Sequence, residues 1–151
     1  MIVIASDHGG LELKEAIKGL LLETGVPCQD LGPCDGSSVD YPDFGELVAR
    51  RVSEGSAQLG ILVCGTGIGM SIVANKFPGV RAALATDVFM ATMAKEHNNA
   101  NILVLGGRVI DATAARAMVT AWLETAFAGG RHQACLDKIS ALESELKIQA
   151  L

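Results

Sequence analysis

An apolar run from Leu59 to Val63 stops at Cys64, gives way to glycines at 65, 67 and 69, and passes into a segment of helical character that reaches Lys76. A strand that turns through glycines straight into a helix cannot be part of a hairpin. It commits the chain to βα units and so to a parallel sheet with crossover helices. The turn has a chemistry as well. Glycines let backbone N–H groups crowd a ligand, and the helix start adds partial positive charge, so an anion belongs there. Cys64 at the strand end sits in the same field, which favours thiolate and makes it a candidate base or nucleophile. Taken alone, the stretch reads equally well as a nucleotide-binding turn with an incidental cysteine.

The rest of the chain repeats the unit. Ile2 to Ser6 is an apolar run ending in Asp7-His8-Gly9-Gly10, after which Leu11, Leu13, Ala16, Ile17, Leu20 and Leu21 recur at helical spacing as far as Gly25. Val26 to Asp30 reads as a second strand, and Gly32 to Ser38 as a turn-rich excursion. A helix follows from Tyr41-Pro42 to about Gly55. Beyond the organising stretch, Val80 to Ala85 is a fourth strand, and Asp87 caps a helix through Lys95. Ile102 to Leu105 is a fifth strand ending in Gly106-Gly107-Arg108, and Asp111 or Thr113 caps a helix to about Phe127. Gly129-Gly130 breaks that helix. Arg131 to Leu146 carries Leu136, Ile139, Leu142 and Leu146 at helical intervals, a stripe expected to pack on a partner subunit.

The expected architecture is therefore α/β, a single domain over residues 1–151 with five parallel strands and helices on both faces. Only six of 151 residues are aromatic, while half are hydrophobic, so the core rests on Ala, Val, Leu and Ile. The formal charge of −5 without a Lys/Arg cluster argues against general binding to nucleic acid or anionic membranes, and leaves room for a local basic pocket. No basic leader precedes the first apolar run, and that run is too short to span a membrane. Four cysteines at 28, 34, 64 and 135 form no CxxC pair, so neither a zinc site nor a redox motif is expected. A reducing cytoplasm is, with Cys28 and Cys34 as shielded free thiols.

Parallel α/β sheets place ligands beyond the carboxyl ends of their strands. Asp7-His8, Cys64-Gly65-Thr66 and Gly106-Gly107-Arg108 all fall at that edge, and the set suits proton transfer. His97, just before strand five, and His132, beside Arg131, are further acid–base candidates. Arg108 and Arg131 lie in Gly-flanked loops where a guanidinium can fork onto phosphate. GTGIGMS lacks the GK[ST] ending of a P-loop, and DHGG stands where a dinucleotide fingerprint would follow strand one.

SDHGG, DYPDFG from Asp40 to Gly45, CGTGIGMSIVANK from Cys64 to Lys76, EHNNAN from Glu96 to Asn101 and GGRH from Gly129 to His132 occur in one order. Together these motifs, which cover almost the whole chain, resemble the type B ribose-5-phosphate isomerases. That family includes ribose, allose and galactose 6-phosphate isomerases. The resemblance implies a Rossmann-like sheet and a metal- and cofactor-free aldose–ketose isomerase, dimeric or tetrameric, with sites between subunits.

It also implies roles. His97 with Thr66 opens the sugar ring, Cys64 moves a proton between C2 and C1 through a cis-enediolate, and Asp7 holds substrate hydroxyls. The turn of Gly65, Gly67 and Gly69 donates amides to the enediolate oxygen. His8, Arg131 and Arg108 take the phosphate, with Tyr41 and Asn98 lining the site. Many ribose 5-phosphate members carry a second arginine four residues after Arg131, where this chain has Cys135. A sibling substrate of six or four carbons therefore stays open, as does a non-catalytic sugar-phosphate-binding subunit.

Overall fold

Alternate residues of the central strands feed two separate cores, which is why those strands read as unbroken apolar runs. A computed structural model of the chain describes residues 1–149. Strands β1 (Ile2–Ser6), β2 (Cys28–Asp30), β3 (Leu59–Cys64), β4 (Ala82–Leu84) and β5 (Ile102–Gly106) form one all-parallel sheet in the order β2-β1-β3-β5-β4. Helices α1 (Leu11–Glu23), α2 (Tyr41–Ser53), α3 (Ile68–Ala74), α4 (Val88–Glu96), α5 (Ala112–Glu124) and α6 (Arg131–Gln149) accompany it. Ile4, Ile61, Val63, Leu103 and Leu105 face α1, α4 and α5, where Ile17, Leu21, Ala91 and Trp122 meet them. Val3, Ala5, Leu62, Cys64 and Val104 face α2 and α3, against Val48, Ala49, Met70 and Ala74. The period of two in each strand thus assigns Cys64 to the α2/α3 side.

The boundaries differ from the sequence reading where local bonds intervene. Strand β2 begins at Cys28, because Gly25 (φ 69°) closes α1 with Val26 N–H donating to the Leu21 carbonyl, and Pro27 has no N–H for the ladder. Helix α5 is capped by Asp111, whose carboxylate accepts the Ala114 amide at 2.8 Å, and ends at Glu124 rather than Phe127. Thr125 there turns to extended backbone, with its hydroxyl on the Ala121 carbonyl. Cys34 is exposed, not shielded, while Cys28 is half-buried. Helix α6 buries Leu136 and leaves Ile139, Leu142 and Leu146 more than half exposed. A groove of about 730 Å³ runs between that stripe and Val80–Ala83.

The loop after β2 hangs on an ion pair whose lysine is buried. Lys14 is fully buried and donates to both carboxylate oxygens of Asp30 (2.8 and 2.9 Å) and to the Pro33 carbonyl (2.6 Å), while Lys18 reaches Asp30 Oδ2 at 2.7 Å. Burial pushes the Asp30 carboxyl up, but bonds from Lys14, Lys18 and the Gly32 amide outweigh it and hold it below its ordinary value of 3.8. Asp30→Asn leaves Lys14 buried with a neutral partner and is expected to cost about 3 kcal/mol at pH 7, read from the urea midpoint. A carboxyl depressed in the folded state stabilises fully above its unfolded value and stops doing so as pH falls through its folded one. The gap between wild type and Asp30→Asn should therefore begin to narrow below about pH 4 and close only beneath the depressed folded value.

Candidate active site

Three backbone segments lock together at the carboxyl edge of β1, β3 and β5. Gly107 N–H donates to the Cys64 carbonyl at 2.8 Å, Arg108 N–H to the Gly65 carbonyl at 2.9 Å, and Asp7 N–H to the Val63 carbonyl at 3.1 Å. Such contact needs residues without side chains. A Cβ on Gly107 would lie 2.7 Å from the Gly9 oxygen and 3.1 Å from Gly10 Cα, both backbone and unable to yield. Gly107→Ala is accordingly expected to cost about 1–3 kcal/mol in a thermal melt and to lower activity with it. The nearest atoms to a Cβ on Gly69 belong to the Tyr41 ring, at 2.7 Å, and a ring can swing in Gly69→Ala. Its melting point should fall less.

Cys64 is buried at the end of β3, and its Sγ accepts the Gly67 amide at 3.1 Å. Gly67 stands at φ 82° immediately before α3, the left-handed geometry that aims its N–H back at the sulfur. Thr66 is exposed beside it, its Oγ1 accepting the Ile68 amide at 3.3 Å. Two amides of the turn are thus engaged internally, a constraint that its glycine pattern does not reveal.

Asp7 caps the short turn His8–Gly10 by accepting the Gly10 amide at 3.0 Å. His8 Nδ1 accepts the Val39 amide at 3.3 Å, tying down the loop before α2. Arg108 lays its guanidinium over Gly9 and Gly65: positions for a Cβ on either lie 3.4 Å from its terminal nitrogens. Asp7 Oδ1 lies 3.3 Å from the same Cβ position on Gly9, so a carboxylate and the guanidinium share this edge. Tyr41, first residue of α2, closes the set against Gly69. Asp7, His8, Tyr41, Cys64, Gly65, Thr66, Gly67, Gly69 and Arg108 therefore share one edge, an assembly of thiol, carboxylate, imidazole, hydroxyl and guanidinium suited to proton transfer on an anionic substrate.

His97, Asn98 and Arg131 lie elsewhere. His97 caps the C-terminus of α4, and the turn that follows leads into the start of β5, where the Asn101 carbonyl accepts the Gly60 amide at 2.8 Å. That is the amino edge of the sheet, separated from Cys64 by the six-residue strand β3, about 16–20 Å. Arg81 holds this turn with Nε on the Asn98 carbonyl (3.0 Å) and Nη2 on that of Asn99 (3.0 Å). The imidazoles of His97 and His132 stack with centroids 4.1 Å apart and planes 10° from parallel. The chain thus carries two clusters at opposite edges, one with the Cys64 thiol and the Arg108 guanidinium, one with the two imidazoles and Arg131. The Arg81 contacts and the histidine stack have no signature in the sequence, because a motif's order along the chain does not say which side chains touch. Among the described residues no group of three or more His, Cys, Asp or Glu is placed to hold a metal, and no helix is long and apolar enough to cross a membrane.

Residues 2–139 match the family model described as Ribose/Galactose Isomerase. The chain is 50% identical over 145 residues to the Bacillus subtilis protein YwlF, whose name goes no further than sugar phosphate isomerase, covering 95% of this chain and 97% of that one. Its structure is similar to that of ribose-5-phosphate isomerase B from Clostridium thermocellum, with a TM-score of 0.94 and 48% identity over 96% of this chain and 98% of the other. It is also similar to ribose-5-phosphate isomerase B from Mycoplasma genitalium with bound ribulose-5-phosphate, with a TM-score of 0.92 and 44% identity over 95% and 96% of the two chains.

Proposed function

The chain belongs to the Ribose/Galactose Isomerase family, and from that premise we propose that it interconverts ribose 5-phosphate and ribulose 5-phosphate by proton transfer through a cis-enediolate. The observation that carries this reading is the Cys64 thiol, buried at the strand end, hydrogen-bonded by Gly67 and set at the same sheet edge as Arg108. Cys64 as thiolate takes the proton from C2 of the open-chain aldose and returns it to C1, while the hydroxyl proton passes from O2 to O1. Amides of the Gly65–Gly69 turn not already engaged face the enediolate oxygen, a preorganised charge complement typically worth about 3 kcal/mol in the transition state. Asp7 holds sugar hydroxyls, and Thr66 assists ring opening.

The second cluster completes the first from another copy. His97 of the partner subunit opens the ring, Asn98 of the partner subunit lines the pocket, and Arg131 of the partner subunit joins His8 and Arg108 on the phosphate. Tyr41 lines the pocket from its own subunit. The exposed stripe of Ile139, Leu142 and Leu146 on α6 supports association, since an apolar row of that length is otherwise left in water. A homodimer is the smallest assembly that provides this. Exposed free Cys34 and Cys135 fit the cytoplasm, and burial, the largest cause, pushes the Cys28 thiol up to about 11, which leaves it inert.

One observation favours a sibling substrate. Cys135 is exposed one turn after Arg131, so α6 offers no second guanidinium there, and Lys138 is a point charge rather than a fork. A panel of phosphorylated aldoses of four, five and six carbons decides between them. The expected result is the highest kcat/KM on ribose 5-phosphate. A clear preference for another length transfers the assignment to that sugar, and inertness toward the whole panel with retained binding would leave a non-catalytic subunit.

A further inference from the structure

The proposed mechanism leaves one chemically capable member of GGRH unused. Gly129 and Gly130 stand at φ 65° and 56°, two consecutive left-handed residues that turn the chain back before α6. The Ala128 amide donates to the Glu96 carbonyl and the His132 amide to that of Gly129, both at 3.0 Å, so the turn is docked on the end of α4. Its product is the parallel stack of His132 on His97, 4.1 Å between centroids. Glu96 Oε1 lies 3.8 Å from His97 Nε2, beyond hydrogen-bond reach, and the His97 side chain is otherwise 38% exposed.

We propose that His132 is a positioning residue: its ring fixes the plane of the His97 imidazole and so presents Nε2 to the oxygen of the sugar ring. The inference rests on the isomerase reading above. An imidazole on a helix C-cap has a broad, two-fold preference about its second side-chain torsion, and a flat neighbour at van der Waals distance restricts it to one plane. Burial, then the neighbouring His97 and Arg131 charges, hold the His132 ring below its ordinary 6.5 against the opposing pull of Glu96, so at neutral pH it offers an uncharged face. A tyrosine or lysine in its place would add a hydroxyl or a cation to that face.

The test compares His132→Ala with His132→Phe, which keeps a flat ring and loses both nitrogens. His132→Ala should lower kcat on ribose 5-phosphate about 10- to 100-fold with KM changed less than twofold, the signature of a misaligned group rather than of lost binding. His132→Phe should restore kcat to within about threefold of wild type. The ring-proton resonances of His97 should move in the alanine variant, which lacks the neighbouring ring current, and stay near their wild-type positions in the phenylalanine one. Unchanged kcat in His132→Ala overturns the proposal, and so does a rise in KM at constant kcat, which would make His132 only an anchor for α6 and Arg131. Equal loss in both variants would overturn it too, by giving the imidazole nitrogens a chemical part of their own. A wild type inert toward the sugar panel sinks the isomerase reading instead, while the resonances still report the stack.

Discussion

Cys64→Ala should abolish isomerisation while sugar-phosphate affinity stays within a few-fold of wild type. Removing a general base costs about 10²- to 10⁴-fold, and here the upper end is expected, because neither Asp7, committed to the Gly10 amide, nor Thr66 can replace a thiolate. The phosphate and hydroxyl contacts proposed for His8, Arg108 and Asp7 do not involve the sulfur, so binding measured by calorimetry should survive. Exchange of deuterium from solvent into C1 of the sugar should vanish with turnover, since both report the same proton transfer. Near-normal activity in the variant would remove Cys64 from the mechanism. Cys64→Ser is a weaker test of the same point, for its oxygen sits closer to the backbone than sulfur and is a far poorer base at neutral pH.

Much of this site was legible because glycine and strand periodicity are backbone signals. β1 and β3 bury both faces, so their apolar runs mark the strands to within a residue, and Asp7, just beyond β1, and Cys64, the last residue of β3, fall at the carboxyl edge. The tight triple contact of Gly10, Gly107 and the Val63 carbonyl explains why DHGG and GGR read as loops. Termini set by side-chain or chain-reversing bonds were less legible. Thr125 ends α5 through its own hydroxyl, with no glycine until Gly129 to mark the break. The edge on which His97 falls followed in principle from its place between a helix and a strand, because in a parallel sheet such a turn lies opposite the strand ends that bear Asp7 and Cys64. Contacts between distant motifs, the His97–His132 stack and the Arg81 bridge to Asn98 and Asn99, have no signature in spacing.

The separation of His97 from Cys64 yields the second large effect. If each active site joins Cys64 of one subunit to His97 and Arg131 of the other, two inactive variants should rescue each other. In a two-fold dimer of Cys64→Ala with Arg131→Ala, one site carries both defects and the other carries none. Random exchange makes half the dimers mixed, and half the sites in those are intact, so the mixture should recover about one quarter of wild-type activity. The separate variants should show almost none, Arg131→Ala because a charge-assisted contact to phosphate is lost. A site confined to one chain predicts no recovery at all, since neither subunit would hold a complete set. Mixing with covalent cross-links that prevent exchange should also give none, which separates shared sites from simple summation of residual rates. The recovery depends on geometry that already holds within one chain: a six-residue strand keeps His97 and Cys64 apart, and no rotation of side chains closes about 16 Å.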